Sequence, residues 1–598
     1  MSINLDSLTV SNTGRVSFSG LSSGIDFEAA VEAIVKAKRI PVDRLETRLT
    51  EGETKIAAYQ EFRGLLNGLK DSLKNLYGAV TADNSKNIFE AKQAFASSSR
   101  TDSGAKSAPT DLVGVTVLNR AAAGSHTIEV VQTAASHRVG SGTITSRSAD
   151  LGTALGLGGP ISGTIEIAGR EIAVLSTDSL QDLADRINNA NTGKDATGVS
   201  ASIVQVASDR FVLNLKADQA GKTMGTAPES DIVLADPDGI LGQIGILSGD
   251  GGFANELQAA RKAQFYADGI LGDDGQPLLI ERDSNTISDL FAGVTLNLFK
   301  AEPGTTVQID IERNLTQVKS AITGFVEAYN ETRSFLNFHL DTDPSTGKPK
   351  EDAVLFGSRT LADVESRLGQ LLGEGAAGTD DAFKVLAQIG INFAPLGGQN
   401  PELANTLQID DQKLDEALLN NLDDVRKLFG FSFSSSDPRV VLLGFEGATG
   451  YSGSGYQLSI GHDGSGITSA STNDGTARVN GKQITVESGG ANGLKLLYTG
   501  DSPANVQIDF TVGLGAGLFF ELENMLDSKT GIVEGEINEL TTVNKQSQTR
   551  IDEMLVRLEL QRESLLQRFV RMEASLASMN RILESIGQMT DAMFGQKK

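Results

Sequence analysis

The chain has 598 residues, enough for roughly three to five domains. Lysine and arginine number 52 against 77 aspartates and glutamates, a formal charge of −25, which makes nucleic acid and anionic membranes poor partners. Cysteine is absent, so disulfides, thiolate metal sites, iron–sulfur clusters and cysteine nucleophiles are excluded together. The opening residues lack a basic stretch followed by an apolar one, and no apolar run is long enough to span a bilayer. The expectation is a chain without a cleaved signal peptide and without membrane insertion.

In chain order, residues 1–25 carry only Asp6 and Arg15, which cancel. From Asp26 to Leu76 nine acids balance nine bases, and from Thr541 onward seven acids face nine bases. The negative charge therefore sits in the middle of the chain. Asp26 is placed to cap a helix whose apolar residues are Phe27, Val31, Ile34 and Val35. Pro41 predicts an interruption at Lys38–Pro41, because proline disfavours helix at the residue before it. Leu45 and Leu49 resume the stripe, and Ile56, Tyr59, Phe62, Leu66, Leu69, Leu73 and Leu76 extend it with a stammer at Tyr59–Phe62.

The middle reads as mostly β. Ser125–Val131 is a strand by composition, and Thr164–Leu175 a hairpin around Ala168-Gly169. A short helix follows over Leu180–Asn188 with Asp178 or Ser179 as its cap, then strands at Val199–Val206 and Phe211–Leu215. Gly293–Phe299 and Thr306–Ile311 are expected to pair with each other. Helices return from Leu315 to about Phe338, from Ser358 to Leu372, and from Asp410 to Phe429 as one piece. Residues 431–512 are rich in Gly, Ser and Thr and carry strands at Ala477–Glu487, Gly493–Tyr498 and Val506–Val512. ARVNGKQITV there repeats the layout of TIEIAGREIAV, which suggests an inserted β domain.

The C-terminal segment has the strongest pattern. Alternate steps of four and three from Ile551 meet Leu555, Leu558, Arg562, Leu565, Phe569, Met572, Leu576, Met579, Leu583, Ile586, Thr590 and Met593. Only Arg562 and Thr590 are polar, and no proline interrupts. This is a heptad seam, and a helix carrying it needs a second helix to cover it. The N-terminal helix is the candidate partner.

Catalytic chemistry finds no foothold. Gly221-Lys222-Thr223 ends like a phosphate loop, but Lys216 stands where its first glycine belongs. Gly156-Leu-Gly158 and Gly513-Leu-Gly515 lack a third glycine. His126, His137, His339 and His462 are isolated and have no zinc spacing. Asp341, Asp343 and Asp352 are spaced like a calcium loop, but Thr346 replaces its essential glycine, so a polar interhelical loop is the better reading. Asp410-Asp411 suits helix capping, and no serine sits in a GxSxG elbow. The reading is of a non-enzyme with no cofactor and no metal.

Five colinear stretches resemble the flagellar filament-capping family, also called hook-associated protein 2 or FliD. They are GLSSGIDFEAAVEAIVKAKRIPVDRLE (20–46), RAAAGSHTIEVVQTA (120–134), DSLQDLADRINNA with GVSASIV (178–204), RDSNTISDLFAGVTLNL with FVEAYNETRSFL (282–298 and 325–336), and LAQIGINF with LQIDDQKLDEALLNNLDDVRKLFG (386–430). Residues 431–512 depart from the family pattern. The resemblance implies an α+β fold in which long terminal helices form a coiled-coil leg or bundle, with nested antiparallel β-rich domains in the middle.

In domain terms it implies an N-terminal docking helix (1–50), the first half of a helical leg (51–106), and a β domain split between 107–139 and 255–314. An outer β domain (140–254) is nested inside it. A helical domain (315–430), the extra β domain (431–512), the second half of the leg (513–568) and a C-terminal docking helix (569–598) complete the chain.

The function implied is a homo-oligomeric ring at the distal, extracellular tip of the flagellum, which retains exported flagellin and promotes its folding and insertion. The partners implied are flagellin, hook–filament junction proteins, the type III flagellar export apparatus and a cytosolic export chaperone at the C-terminal helix. Ile25, Phe27, Val31 and Ile34, with Phe569, Met572, Leu576, Met579, Leu583 and Ile586, are the candidate protein-binding residues. The alternatives are another axial component, either a junction protein or a flagellin-like subunit, and a tip adhesin using residues 140–254 or 431–512.

Overall fold

The structure is a computed structural model describing residues 8–10, 16–18, 27–77, 87–343, 345–376, 383–395, 401–445 and 455–594. Ile25 and the Asp26 cap lie outside the described residues. The longer helices are α1 (Phe27–Leu73), α2 (Leu180–Ala190), α3 (Leu315–Leu340), α4 (Arg359–Glu374), α5 (Asp411–Asn420), α6 (Leu422–Phe429), α7 (Leu514–Met525) and α8 (Ile532–Phe594). The chain forms two compact units, Ala82–Val318 and Met1–Thr81 with Lys319–Lys598.

In the unit Ala82–Val318, a five-stranded antiparallel sheet has the order Ile280–Arg282, Ala263–Ala267, Gly124–Gln132, Thr305–Arg313, Lys92–Arg100. A three-stranded sheet, Thr286–Ile287, Val294–Leu298, Val113–Val117, shares its core. Alternate residues of each sheet, among them Val130, Ile309, Val294 and Leu296, point into that common core. The strands expected to pair at 293–299 and 306–311 therefore belong to different sheets. The connection between them crosses from one sheet to the other at Gly304, with φ 84°, and is held by the Glu302 carboxylate. That carboxylate accepts from the Ser107 amide at 3.0 Å and the Thr305 hydroxyl at 2.9 Å. Local periodicity identifies the strands but does not determine non-local pairing.

Between Arg138 and Gln258 the chain builds two four-stranded sheets around α2. α2 forms where its signature predicts. Ser179 accepts from the Asp182 amide while the Asp182 carboxylate accepts from the Ser179 amide, a complete capping box. The hairpin at Gly163–Ile167 and Arg170–Val174 turns at Ala168 and Gly169, both with positive φ, as a two-residue hairpin demands.

The other unit is built on helices. Pro41 does not interrupt α1, which runs through it from Phe27 to Leu73. An interior proline costs about 3 kcal/mol, chiefly the bond from residue 41 to the Ala37 carbonyl. Ala37 and Pro41 both face solvent, where water serves that carbonyl, while the adjacent Val42 is buried against α8. The helix expected from Asp410 to Phe429 is instead two, α5 and α6, because Asn421 leaves helical geometry at φ −137° and ψ 34°. α8 begins at Ile532, well before the seam at Ile551, and is 63 residues long.

Residues 431–512 fold into one eight-stranded antiparallel sheet with Phe431–Ser435 at one end and Val440–Gly444 at the other. Leu458, Ile484, Leu496, Val506 and Ile508 fill its core. ARVNGKQITV is a hairpin here too, turning at Gly481. The first and last strands are neighbours, pairing Phe431 with Val512, and the Gly513 amide donates to the Gly430 carbonyl at 2.8 Å.

Candidate docking interface

The candidate site is the seam between α1 and α8, which run antiparallel. Phe27 stacks on Phe569 with ring centroids 5.0 Å apart. The Arg562 guanidinium donates to the Glu32 carboxylate at 2.8 Å, and Lys38 to the Gln561 side chain at 3.2 Å. Val42 is buried with Ile551 and Leu558, flanked by Leu45, Leu49, Met554 and Leu555. Further along, Gly52 leaves space for Asn544, whose side-chain amide donates to the Leu49 carbonyl at 3.4 Å. The Arg63–Glu534 ion pair closes the series at 2.7 Å.

Burial carries this seam. A fully buried Val or Leu contributes about 1.5–3 kcal/mol, whereas an exposed ion pair such as Glu32–Arg562 contributes about 0–1 kcal/mol.

At the other end of α1 the seam joins a larger helical core. Phe62 stacks on Phe335 of α3 at 5.2 Å, and the Tyr59 hydroxyl lies 2.7 Å from Ser358, which caps α4 by accepting from the Leu361 amide. Burial raises the Tyr59 phenol above its ordinary pKa, an effect the Ser358 hydroxyl opposes. His339 is buried between Phe335 and Phe338, and that burial lowers its pKa, with the Glu61 carboxylate opposing. Its Nδ1 accepts from the Leu355 amide at 3.4 Å, so His339 is part of the helix packing.

The predicted docking residues divide into two sets. Phe27 and Val31 are buried and Phe569 is half-buried on Phe27, so these three engage within one chain. Leu576 is half-buried, while Ile34 and Met572 are exposed. From Met579 the seam faces solvent, with Met579, Leu583 and Ile586 at 57%, 59% and 52% exposure. Ile582, Met589 and Met593 are exposed beside them.

The heptad pattern finds this face but not the polar contacts along it. Gly52 and Arg562 are the signals for those. A glycine at a packed seam position indicates a close approach, and an arginine on an apolar seam calls for an acid opposite. Asp410 caps α5, accepting from the Lys413 amide at 3.2 Å, and Asp411 pairs with Lys319 at 2.9 Å.

Comparison with known proteins follows this geometry. Residues 260–581 match the family model described as the flagellar hook-associated protein 2 C-terminus, and residues 23–137 match that of its N-terminus. Flagellar hook-associated protein 2 of Salmonella typhimurium is 30% identical over 258 residues, covering 42% of this chain and 48% of that protein. The chain thus spans about half the length of that relative. The A-type flagellar hook-associated protein 2 of Pseudomonas aeruginosa is 26% identical over 430 residues, covering 69% of this chain and 79% of that protein. The solved D1-D2-D3 domains of the flagellar cap protein FliD from Escherichia coli align at 19% identity with a TM-score of 0.47, over 81% of this chain and 99% of that one.

Proposed function

The chain belongs to the flagellar hook-associated protein 2 (FliD) family, and from that premise we propose that it caps the distal end of a flagellar filament as a small ring. The ring retains exported flagellin and promotes its folding and insertion beneath the cap. The role is structural, the site extracellular at the tip, and export proceeds through the flagellar type III apparatus. The observation that carries the reading is the α8 seam, which is satisfied within the chain up to Phe569 and presents Met579, Leu583 and Ile586 to solvent beyond it. A face of this kind fits helices of flagellin or of the hook–filament junction proteins. Such an apolar surface also calls for a cytosolic chaperone before export.

The test is Leu576→Asp with Leu583→Asp. The expected variant keeps the circular dichroism and melting of the native chain, but its cells release flagellin into the medium instead of assembling it. Normal filament growth by a strain carrying it would refute the docking role of the seam. Light scattering on the full chain, and on a chain lacking residues 1–40 and 569–598, tests the ring. A discrete small oligomer lost on truncation is expected, and a monomer in both cases at high concentration would refute a ring in solution.

A further inference from the structure

The sheets built by Arg138–Gln258 are nested in the chain of the five- and three-stranded sheets, and the chain enters and leaves them at one junction. The two crossing segments lie side by side there. The Ala135 amide donates to the Arg261 carbonyl at 2.8 Å, and the Gly140 amide to the Asn255 carbonyl at 2.9 Å. A third segment, residues 217–224, bridges the same junction as a loop. It leaves the strand Arg210–Ala217 and returns to the nested sheets at Met224. In between, Ala220 packs against the core shared by the five- and three-stranded sheets, and the Gly221 amide donates to the Ala135 carbonyl at 3.1 Å. Gly221 has φ 75°, and a Cβ there would lie 3.1 Å from Lys262 Cγ and 3.2 Å from Asp283 Oδ1. The loop backbone is therefore pressed against the far side of the junction.

His137 holds both ends of this loop. Its backbone carbonyl accepts from the Ala217 amide at 2.9 Å, and its Nδ1 accepts from the Met224 amide at 2.8 Å. A ring nitrogen that accepts carries no proton, so the single proton of the neutral ring is on Nε2, which lies 3.2 Å from the Glu256 carboxylate. His137 is 4% exposed, and Phe253 meets its ring edge-on at 5.1 Å. Glu256 is the charged group that faces the ring. On the loop, Asp218 is turned to Asn191 at 2.6 Å, and Lys222 to Asp231 at 3.3 Å and Asp283 at 4.0 Å. Arg138 and Lys216 are strand partners on the face opposite the buried Val139 and Leu215.

We infer that His137 is an acid-released latch: when its Nδ1 takes up a proton, the loop 217–224 lets go and the nested sheets swivel on the two crossing segments. The reason is hydrogen-bond polarity. An imidazolium donates from both nitrogens, so Nδ1 would face the Met224 amide donor to donor. A charge at this sealed position also needs the water that Phe253 and the loop exclude. Separation of loop and ring relieves both conflicts. The Lys222–Asp283 pair across the junction is exposed and screened by salt, so it does not replace the lost bond.

The sign of the pH dependence follows. Burial lowers the pKa of His137 in the closed latch, with Glu256 opposing. The released ring titrates at the ordinary histidine value, so the latch is intact above about pH 6.5 and loosens progressively as the pH falls below it. This is a property of the junction itself and stands whether or not the chain caps a filament.

The chain has no cysteine, so Glu171→Cys in the nested sheets and Asp274→Cys in the hairpin between Ala267 and Ile280 place two spin labels on exposed positions of the full chain. Their separation is expected to show one narrow distribution at pH 7.5 and a second, broad one at pH 5, with the share of the broad one rising at least about tenfold. His137→Gln in the labelled chain is expected to abolish that response. A distribution indifferent to pH, or a response that survives His137→Gln, would overturn the inference. Glu256→Gln removes the carboxylate that favours the imidazolium, so the midpoint is expected at lower pH. An unmoved midpoint would overturn the inference too, and this variant remains decisive if His137→Gln does not fold.

Hydrogen exchange separates release from unfolding. Protection of the Met224 amide, relative to a free peptide at the same pH, is expected to fall at least about tenfold between pH 7.5 and 5, while Ile309 in the shared core stays protected. Protection lost equally at both positions would mean that the whole unit unfolds, and would overturn a local latch.

Discussion

The two parts of α8 carry the same heptad and meet opposite fates. Up to Phe569 its apolar positions are covered by α1, whereas from Met579 the same spacing of Met, Leu and Ile faces water. Nothing in the character of the residues separates the halves. The divide falls at the stack of Phe27 on Phe569. An apolar seam states that a helix needs a partner, but its period does not say which of its turns find that partner in the same molecule.

Perturbing each half separately tests this contrast. The largest effect is expected at Val42→Asp, which buries a carboxylate among Ile551 and Leu558. A loss of at least about 3 kcal/mol, read as a lower midpoint in denaturant melts, follows from an unpaired charge at a sealed position. The same change at Leu583 is expected to move stability by less than about 0.5 kcal/mol. Equal effects at the two sites would erase the distinction between the halves.

Phe27→Ala removes the ring on Phe569 at the boundary. A loss of about 2–3 kcal/mol is expected, less than a fully enclosed phenylalanine because this contact is at a helix end. Hydrogen exchange should show it as faster opening of the first turns of α1 and of α8 around Phe569. Native exchange rates there would mean that the stack does not anchor the junction.

Acid reaches the far end of α1. Burial lowers the pKa of His339 in the folded state, so the unfolded chain binds a proton more readily. The contribution is intact above about pH 6.5, the ordinary histidine value, and is lost progressively as the pH falls below it. Melting between pH 7.5 and 5 should therefore show a decline that His339→Gln reduces, with exchange rising in α3 and not in residues 570–594. A decline unchanged by the substitution would assign it elsewhere.

The smallest effect belongs to Glu32→Gln, which leaves Arg562 without its carboxylate. The pair is exposed, and about 0.5 kcal/mol or less is expected, shrinking further in high salt. A loss above about 1.5 kcal/mol would mean that the pair sets register and does more than decorate the seam.

Much of this architecture is legible in the residues because it is local. The seam from Ile551 follows from period, α2 from its cap at Asp178 or Ser179, which the structure assigns to Ser179, and the two NG- or AG-type hairpins from turn chemistry. What is not legible is what depends on distant chain. Pro41 indicates a break that the packing of Val42 overrides. Asn421 splits a helix whose apolar spacing reads as continuous. Thr541, Thr542 and Gly535 are weak helix formers, which hide the first turns of α8 until α1 is known to lie against them. The candidate docking face is readable as a seam, but its boundary at Phe569 arises only once helices distant in the chain have met.

The adjacency of the first and last strands in residues 431–512 bears on how the molecule folds and diverges. Closing a long flexible loop between α6 and α7 has an entropic cost that grows with its length. Here the eight-stranded sheet brings Phe431 and Val512 side by side by its own pairing, so the helices on either side are joined as if by a tight turn. The sheet can thus be enlarged, trimmed or exchanged for another domain with neighbouring ends without altering the separation that α6 and α7 must bridge. Substitutions inside the sheet that keep its first and last strands paired therefore leave the junction between the two helices unchanged.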